Sequence, residues 1–320
     1  MEAEEIVREA ARKIITMEVR GAARIAKFAA ETLRKFAESL NVSDPEEFDE
    51  KMRWAAETLL NTRPTAVSLY NAVNYVMNYS GESVEEKRNS IIERAERFVE
   101  WVRSAHRNIG EFGAKRIKKG SVVLTHCNSS AALSVIKEAY RQGRVDMVFA
   151  TESRPRRQGF LTVKELTAEG IPTTLIVDSA VRYFMSEIDC VVVGADTITA
   201  NGALINKIGT SQIALAAKEA RVPFMVAAET YKFSPKTLFG ELVVIEERSA
   251  DEVAPPEILS LKGLTVRNPA FDVTPREYID VIVTEIGAIP PEMAYLIIRE
   301  RLGYAFREEG EISISPKHFD

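Results

Sequence analysis

The fold class is decided by residues 120–140, which read GSVVLTHCNSSAALSVIKEAY. The run Val122–Thr125 is continuously apolar and β-branched, and after a polar turn a helical pattern covers Ala131–Tyr140. A short apolar run without alternation is typical of a strand that is buried on both faces of a sheet. The segment therefore predicts a strand, a turn and a helix, the repeating unit of parallel sheets.

The same pattern recurs towards the C-terminus. Five further runs predict strands, namely Met147–Thr151, Thr173–Val177, Cys190–Val193, Phe224–Ala227 and Val281–Thr284. Helical patterns separate most of them, among them Lys164–Glu169 and Ser211–Ala220. Alternating strands and helices indicate an α/β fold, a Rossmann-like and mainly parallel sheet with helices on both faces.

The N-terminal third has a helical period throughout. Ser43 with Glu46 and Ser83 with Glu86 have the spacing of capping boxes, which predicts two helix starts. Arg63-Pro64 interrupts the pattern, because the residue before a proline is pushed out of the helical region. We therefore expect two domains, an all-helical domain over residues 1–115 and an α/β catalytic domain over residues 116–320.

Composition excludes several classes of protein. The chain is 46% hydrophobic and 28% charged with a net charge of −5, so we expect a globular protein with no nucleic-acid or membrane partner. Its two cysteines and three histidines do not cluster as zinc ligands do. The first residues are acidic and no apolar run reaches about 18 residues, which predicts a cytoplasmic protein. Neither GxGxxG nor Walker A spacing occurs, so a standard dinucleotide or nucleotide site is not expected.

Ligands of parallel sheets bind beyond the carboxyl ends of the strands, so the residues at those ends are the candidates. Cys127 stands between the first strand and its helix, where the helix N-terminus favours a thiolate. The amides of Asn128 to Ser130 are placed to hold a phosphate. The alternative is a small buried cysteine with Ser129 as the helix N-cap. Cys190 begins a buried strand and is interpreted as inert core.

Charged residues follow the other strands. Asp196 comes after the fourth strand, either as a catalytic carboxylate or as the cap of an Asx-turn. Asn206–Thr210 precedes another helix, whose first amides are again suited to an anion, and it contains Lys207. Lys232, just past the fifth strand, is a second cation at the same edge. A lysine alone is usually a solvated surface charge, but several at one sheet edge favour a polyanionic small molecule.

Arginines add to this positive charge. Arg20, Arg63 and the segment Glu152–Gly159, which holds three arginines, supply guanidinium groups suited to phosphate. Asp178 is interpreted as a helix N-cap and His126 as a residue that points into the core.

Seven segments in collinear order, between about residues 14 and 287, resemble one protein family. It unites the α, β and δ subunits of translation initiation factor 2B, methylthioribose-1-phosphate isomerase and the archaeal ribose-1,5-bisphosphate isomerases. The segments are Arg20-Gly-Ala, Thr62-Arg-Pro-Thr-Ala-Val67, Thr125-His-Cys-Asn128, Glu152-Ser-Arg-Pro with Gln158-Gly159, Gly194-Ala-Asp196 with Asn201-Gly202, Asn206-Lys-Ile-Gly-Thr210 and Asn268-Pro-Ala-Phe-Asp-Val-Thr-Pro275.

The resemblance implies an enzyme whose catalytic pair is Cys127 and Asp196, since the regulatory subunits typically lack that pair. The substrate contacts that it implies are Arg20, Gly21, Ala22, Ala23, Arg63, Ser129, Ser130, Ala131, Asn206, Lys207 and Lys232. No metal and no organic cofactor are expected.

Two positions favour a bisphosphate substrate. Ala23 stands where methylthioribose-1-phosphate isomerases usually have proline, and Lys232 supplies a cation that a C5 phosphate needs and a C5 methylthio group does not. The expected reaction is α-D-ribose 1,5-bisphosphate to D-ribulose 1,5-bisphosphate, in nucleoside or AMP degradation. The alternatives are a methylthioribose-1-phosphate isomerase and, outside enzymes, a regulatory subunit of initiation factor 2B. The resemblance also implies a homo-oligomer, a dimer that assembles into a hexamer as a trimer of dimers.

The expected mechanism uses the catalytic pair as acid and base. A phosphate on the anomeric oxygen prevents spontaneous ring opening, so Asp196 protonates the ring oxygen. That role requires a carboxyl whose pKa is raised above its usual value of about 3.9. Cys127, as thiolate, then removes the C2 proton to give an enol phosphate, and reprotonation at C1 yields the ketose.

Overall fold

The structure, a computed structural model, describes residues 3–303. These residues divide into two compact units, of which the first comprises residues 3–104, Tyr231–Pro235 and residues 296–303, and the second comprises Ala105–Thr230 and Lys236–Tyr295. Residues 304–320, which we assigned to the α/β domain, lie outside the described residues.

The first unit is helical. Its helices are α1 (Ala3–Ile15), α2 (Ala22–Ser39), α3 (Pro45–Leu60), α4 (Val67–Met77) and the first part of α5 (Val84–Ala114), within which the division between the units falls. Apolar residues at helical spacing, such as Ile25, Leu33 and Phe36, are fully buried in one core. The last turns of α11 (Ala294–Arg301) also belong to this unit.

Of the two predicted capping boxes, one is confirmed. The Ser83 hydroxyl accepts from the Glu86 amide at 3.2 Å, and the Glu86 carboxylate accepts from the Ser83 amide at 3.1 Å. The prediction for Ser43 is wrong, because α3 begins one residue later than that spacing implies. Asp44 is its N-cap, and the carboxylate accepts from the amides of Glu46 and Glu47.

The second unit contains a seven-stranded sheet. Its strands are β1 (Ser121–Thr125), β2 (Val145–Thr151), β3 (Thr173–Ile176), β4 (Cys190–Val193), β7 (Phe224–Ala227), β9 (Val281–Thr284) and β10 (Gly287–Ile289). The order is β10-β9-β7-β4-β1-β2-β3, with every neighbouring pair parallel except β10 with β9. All six predicted strands and the α/β fold class are confirmed, whereas the short edge strand β10 was not predicted.

Helices connect the strands, as expected. They are α6 (Ser130–Arg141), α7 (Gly159–Ala168), α8 (Val181–Phe184), α9 (Thr210–Ala220) and α10 (Pro256–Leu259). A second sheet, which was also not predicted, consists of β5 (Thr197–Ile198), β6 (Leu204–Lys207) and β8 (Phe271–Thr274), all antiparallel.

The strand order of the large sheet predicts where a ligand binds. From β1 the chain adds β2 and β3 on one side, and then returns to add β4, β7 and β9 on the other side. The strand order therefore reverses between β1 and β4, which pair directly through Val123 with Cys190 and Leu124 with Val191. In open parallel sheets, ligands bind beyond the carboxyl ends of the strands at such a point.

Candidate active site

Cys127 and Asp196 follow the two strands that flank this point. Cys127 lies two residues beyond the end of β1, and Asp196 lies three residues beyond the end of β4. The carboxylate of Asp196 raises the pKa of the Cys127 thiol by its charge, so the two groups are electrostatic neighbours. The structure thus brings together the thiol and the carboxylate that the sequence singles out.

The backbone of Cys127 adopts an unusual conformation that its neighbours hold in place. Its φ is 66°, in the left-handed region that residues with a side chain seldom occupy. The Cys127 amide donates to the Ser153 hydroxyl at 2.7 Å, and its carbonyl accepts from the Thr162 hydroxyl at 2.7 Å. Such strain persists where the surroundings over-determine it, as these two hydrogen bonds do.

His126 is a buried support for this turn. Its Nε2 lies 2.9 Å from the Ile208 carbonyl and its Nδ1 lies 2.6 Å from the Thr151 hydroxyl. The carbonyl requires the proton on Nε2, so Nδ1 accepts from the hydroxyl. Burial lowers the pKa of the ring, which is therefore neutral near pH 7. The interpretation that His126 points into the core is confirmed.

The N-terminus of α6 presents amides beside the thiol. Ser129 is the N-cap and its hydroxyl accepts from the Ala132 amide at 3.3 Å. Within residues 3–303, the amides of Ser130 and Ala131 donate to no protein acceptor. Both the cap and the free amides that the sequence suggests are therefore present, and the amides suit an anion.

The thiol itself differs from the sequence expectation. Burial raises the pKa of Cys127 to about 11, against the smaller lowering effects of a backbone hydrogen bond, Lys207 and Arg248. We expected the helix N-terminus to favour the thiolate, but Cys127 precedes the N-cap by two residues. The helix dipole acts mainly within the first turn, so desolvation outweighs it at this position.

Asn206 and Lys207 lie on β6, and both side chains are buried. The Lys207 ammonium donates to the Ala270 carbonyl at 3.3 Å, and burial lowers its pKa. The Asn206 amide donates to the Thr210 hydroxyl at 3.0 Å. The negative charges of Cys127 and Asp196 act against this lowering and favour the charged ammonium, so Lys207 is an electrostatic neighbour of both groups. It is therefore the cation that the sequence predicts for this site.

The N-terminus of α9, in contrast, is occupied by the chain itself. Asp272 of β8 accepts from the amides of Gly209 at 2.8 Å and of Ser211 at 3.1 Å. Burial raises the pKa of this carboxyl to about 6. The expectation that these amides hold a ligand anion is therefore wrong, because a carboxylate from a strand distant in sequence caps the helix.

Two of the three arginines in the segment 152–159 bind the protein itself. Arg154 donates to the Val253 carbonyl at 3.2 Å, and Arg156 forms an ion pair with Glu252. Asp178 was interpreted as a helix N-cap, but no such cap bond forms. Its carboxylate instead accepts from the amides of Ser153 and Arg154, at 2.8 and 2.7 Å.

A family model describes most of the chain. Residues 18–291 match the model of the initiation factor 2 subunit family. The chain belongs to the initiation factor 2 subunit family. The resemblance on which the motifs were interpreted is thereby confirmed.

Individual relatives within the family include enzymes. A ribose 1,5-bisphosphate isomerase from Archaeoglobus fulgidus is 76% identical over 99% of this chain and 100% of its own length. Among solved structures, translation initiation factor eIF-2B from Pyrococcus horikoshii is 34% identical with a TM-score of 0.75, covering 90% of this chain and 97% of its own. The 5-methylthioribose 1-phosphate isomerase from P. horikoshii is 33% identical with a TM-score of 0.75, covering 91% and 86%.

The remaining family motifs lie in the first unit. Arg20 precedes α2, whose N-cap Gly21 has a φ of 90°, and Ala22 and Ala23 begin the helix. Arg63 lies in the turn between α3 and α4. Lys232 is buried in the segment Tyr231–Pro235. These residues therefore belong to the first unit, whereas Cys127 and Asp196, with Ser129 to Ala131, Asn206 and Lys207, belong to the second.

Lys232 is fixed within its unit by the preceding and following residues. The Asn71 side-chain amide donates to the carbonyls of Tyr231 and Phe233, both at 2.8 Å. The Tyr231 ring packs against Phe98 and Trp101 with centroid separations of 5.4 and 5.6 Å. Sequence reasoning selected the lysine, and the structure adds the helices that hold it.

One charged residue near the thiol was missed. Arg248 has a side chain that is 11% exposed, and its charge acts on both Cys127 and Lys207. It lies in the irregular stretch between β7 and β8, where no strand or helix pattern draws attention to an individual residue. No signal in the sequence would have distinguished it from the surrounding charges.

Between Ala3 and Gly303, no group of three or more histidine, cysteine or acidic residues is placed to hold a metal ion. In the same part of the chain, no helix combines the length and the apolar character needed to cross a bilayer.

Proposed function

We propose that this protein is a sugar-phosphate isomerase that converts α-D-ribose 1,5-bisphosphate to D-ribulose 1,5-bisphosphate. The observation that carries the proposal is the 76% identity, over essentially the full length of both chains, to a ribose 1,5-bisphosphate isomerase. The 5-methylthioribose 1-phosphate isomerase from P. horikoshii is far less similar, at 33%. Asp196 and Cys127, which are electrostatic neighbours at the sheet edge, are suited to act as the acid and the base that such a reaction needs.

The proposed mechanism moves four protons between the substrate and the two residues. The carboxyl of Asp196 gives its proton to the ring oxygen, and the bond between that oxygen and C1 breaks. The sulfur of Cys127 takes the proton from C2, which leaves an enol phosphate. The Cys127 thiol then returns its proton to C1, and the C2 hydroxyl passes its proton to the Asp196 carboxylate as C2 becomes a carbonyl. The phosphate on the C1 oxygen is retained.

The base must be formed during the reaction cycle. With a pKa of about 11, only about one Cys127 thiol in ten thousand is ionised at pH 7. Lys207 and Arg248 are the positive groups that favour its ionisation. We therefore assign the protonated thiol and the Asp196 carboxylate to the resting enzyme. In the complex with substrate, the thiol proton passes to that carboxylate, which makes Cys127 the base and Asp196 the acid.

Two phosphates require several donors. In the second unit, the amides of Ser130 and Ala131 beside the N-cap Ser129 are suited to one phosphate, together with Asn206 and Lys207. In the first unit, the residues Arg20 to Ala23, Arg63 and Lys232 complete the proposed substrate contacts. The proposal requires no metal or organic cofactor. The proposal also includes a homo-oligomer, either a dimer or a hexamer. It places the enzyme in the cytoplasm and its reaction in nucleoside degradation.

The experiment that tests the proposal compares substrates and variants side by side. The wild type should consume ribose 1,5-bisphosphate and not 5-methylthioribose 1-phosphate. Cys127→Ser and Asp196→Asn should each lower kcat by a factor on the order of 10² to 10⁴. Cys190→Ala is the matched control, because Cys190 is a buried cysteine at the start of β4 and should leave kcat unchanged.

Three outcomes contradict parts of the proposal. Turnover by Cys127→Ser close to that of the wild type removes the thiol from the mechanism. Preference for the methylthio sugar changes the substrate. If the protein consumes neither sugar and co-purifies with initiation factor 2, it is a regulatory subunit and the enzyme proposal fails.

A further inference from the structure

The guanidinium of Arg248 is buried with unused hydrogen-bonding capacity. Its Nε donates to the Glu246 carboxylate at 3.1 Å, whereas its Nη1 is fully buried and has no acceptor within the part of the chain that the structure describes. Buried polar groups are nearly always hydrogen-bonded, so an arginine donor without a partner calls for an explanation. A cation in that situation is suited to negative charge that appears only at a later stage.

The same short segment holds Arg248 and Lys207. The Arg248 amide donates to the Asn268 carbonyl at 2.9 Å, and the Ala270 amide donates to the Glu246 carbonyl at 2.8 Å. The Ala270 carbonyl in turn accepts from the Lys207 ammonium. Residues 268–270 thus lie between the two cations and hold both, which gives the Asn268–Pro275 motif a structural role.

The pair is connected to the turn that carries the thiol. Ile208, next to Lys207, accepts from His126, which precedes Cys127. The charged groups that act on the Cys127 sulfur are Asp196 after β4, Lys207 on β6 and Arg248, while Glu252 acts on Lys207. The neutral His126 is the titratable group directly beside the cysteine in the chain.

We propose that Arg248 is a positioning residue of this site, a buried cation that acts with Lys207 to stabilise negative charge on the Cys127 sulfur. The inference rests on the proposed function only in so far as that charge makes Cys127 the base. Its effect on the thiol exists without substrate and is measured without it.

The test is the rate at which iodoacetamide alkylates Cys127 as a function of pH. In this reaction the thiolate forms a C–S bond, iodide leaves, and the thiol proton passes to solvent, so the rate follows the thiolate fraction. An opposite charge within a few ångströms typically lowers the pKa of an acid by one or more. Arg248→Gln should therefore slow alkylation at pH 8 about tenfold, whereas Arg248→Lys, which keeps the charge, should stay within about threefold of wild type.

Three further variants sharpen the test. Cys127→Ser measures the background from Cys190. Arg267→Gln is the matched control, because Arg267 is 78% exposed, pairs with Glu247 in the same segment and should leave the rate unchanged. Glu246→Gln retains Arg248 but removes its neutralising carboxylate, so alkylation should become faster, and this variant decides the question if Arg248→Gln does not fold.

Turnover of ribose 1,5-bisphosphate provides a second readout. Arg248→Gln should lower kcat about tenfold with KM within about twofold of wild type. An unchanged alkylation profile combined with a raised KM would overturn the proposal, because it would make Arg248 a substrate ligand. If the wild type does not turn over the sugar, the proposed function fails, while the alkylation rates still decide the role of Arg248.

Discussion

Gly194→Ala is expected to destabilise the protein strongly, because the site is closely packed at this glycine. A Cβ at position 194 would lie 2.1 Å from the Oγ and 2.4 Å from the Cβ of Ser129. Real Cβ atoms do not approach other atoms so closely, so Ser129 has to move. Ser129 is the N-cap of α6 and accepts from the Ala132 amide.

The magnitude follows from two losses. Removing a serine N-cap interaction costs about 1 kcal/mol. Overpacking in a close-packed region costs about 1–3 kcal/mol in addition. The expected decrease in the free energy of unfolding is therefore about 2–4 kcal/mol, which for a unit of this size lowers Tm by roughly 4–16 °C. Gly303→Ala is the matched control, because no atom lies within 4 Å of a Cβ at that position.

A double-mutant cycle identifies the cause. Ser129→Gly removes both atoms that collide with the new methyl group, and glycine at an N-cap costs only about a few tenths of a kcal/mol. The double variant Ser129→Gly, Gly194→Ala should therefore regain most of the stability lost in Gly194→Ala. Thermal unfolding followed by circular dichroism measures all three variants. A fall in Tm below 2 °C for Gly194→Ala, or no recovery in the double variant, would refute the reasoning.

Three further predictions concern buried polar groups. Asn71→Ala removes the side-chain amide that donates to the buried carbonyls of Tyr231 and Phe233, and should lower the free energy of unfolding in urea by about 2–4 kcal/mol, whereas the exposed Asn61→Ala should lower it by less than about 0.5 kcal/mol. Burial raises the pKa of Asp272 to about 6, so the native state holds this proton more tightly than the unfolded chain does. The free energy of unfolding of wild type relative to Asp272→Asn should accordingly fall as pH rises from 4 to 6 in urea titrations, and a rise would contradict the assignment. Burial lowers the pKa of His126 from 6.5, so the free energy of unfolding of wild type should fall as pH falls through that value. His126→Gln should lose less stability over the same range. Parallel curves of unfolding free energy against pH for the two proteins would exclude His126 as the cause.

Local pattern was sufficient for the six parallel strands of the large sheet, but not for β10 or for the three strands of the second sheet. The strand Cys190–Val193 was predicted with its observed bounds, because four consecutive apolar residues that are buried on both faces have no other common arrangement. β5 and β10 were missed because two or three residues carry no detectable period. The cap of α3 was misplaced by one residue, since Ser43 and Asp44 are both good N-caps and the proline after Asp44 decides between them.

The site could be predicted only where it depends on chain-local features. Cys127 and Asp196 follow strands, and the rule for parallel sheets brings such residues together at one edge. The ionisation of Cys127 could not be predicted in the same way. The helix N-terminus is visible in the sequence, whereas desolvation depends on atoms contributed by distant segments, and desolvation is the larger effect here. The capping of α9 by Asp272 escaped prediction for the same reason, since 61 residues separate the carboxylate from Ser211.

The motif Asn268–Pro275 shows why a recognisable sequence need not mark a contact with substrate. Its backbone pairs with the segment that carries Arg248, its Ala270 carbonyl accepts from Lys207, and its Asp272 carboxylate caps α9. Each of these bonds fixes a group that acts on the thiol or supports the turn around it. β8 pairs with β6 from Phe271 to Thr274, and alternate residues of a strand face opposite sides of the sheet. A shift of this pairing by one residue would therefore disturb several of these hydrogen bonds together. The arrangement of the charged groups around Cys127 therefore depends on a segment that acts through its backbone and through Asp272.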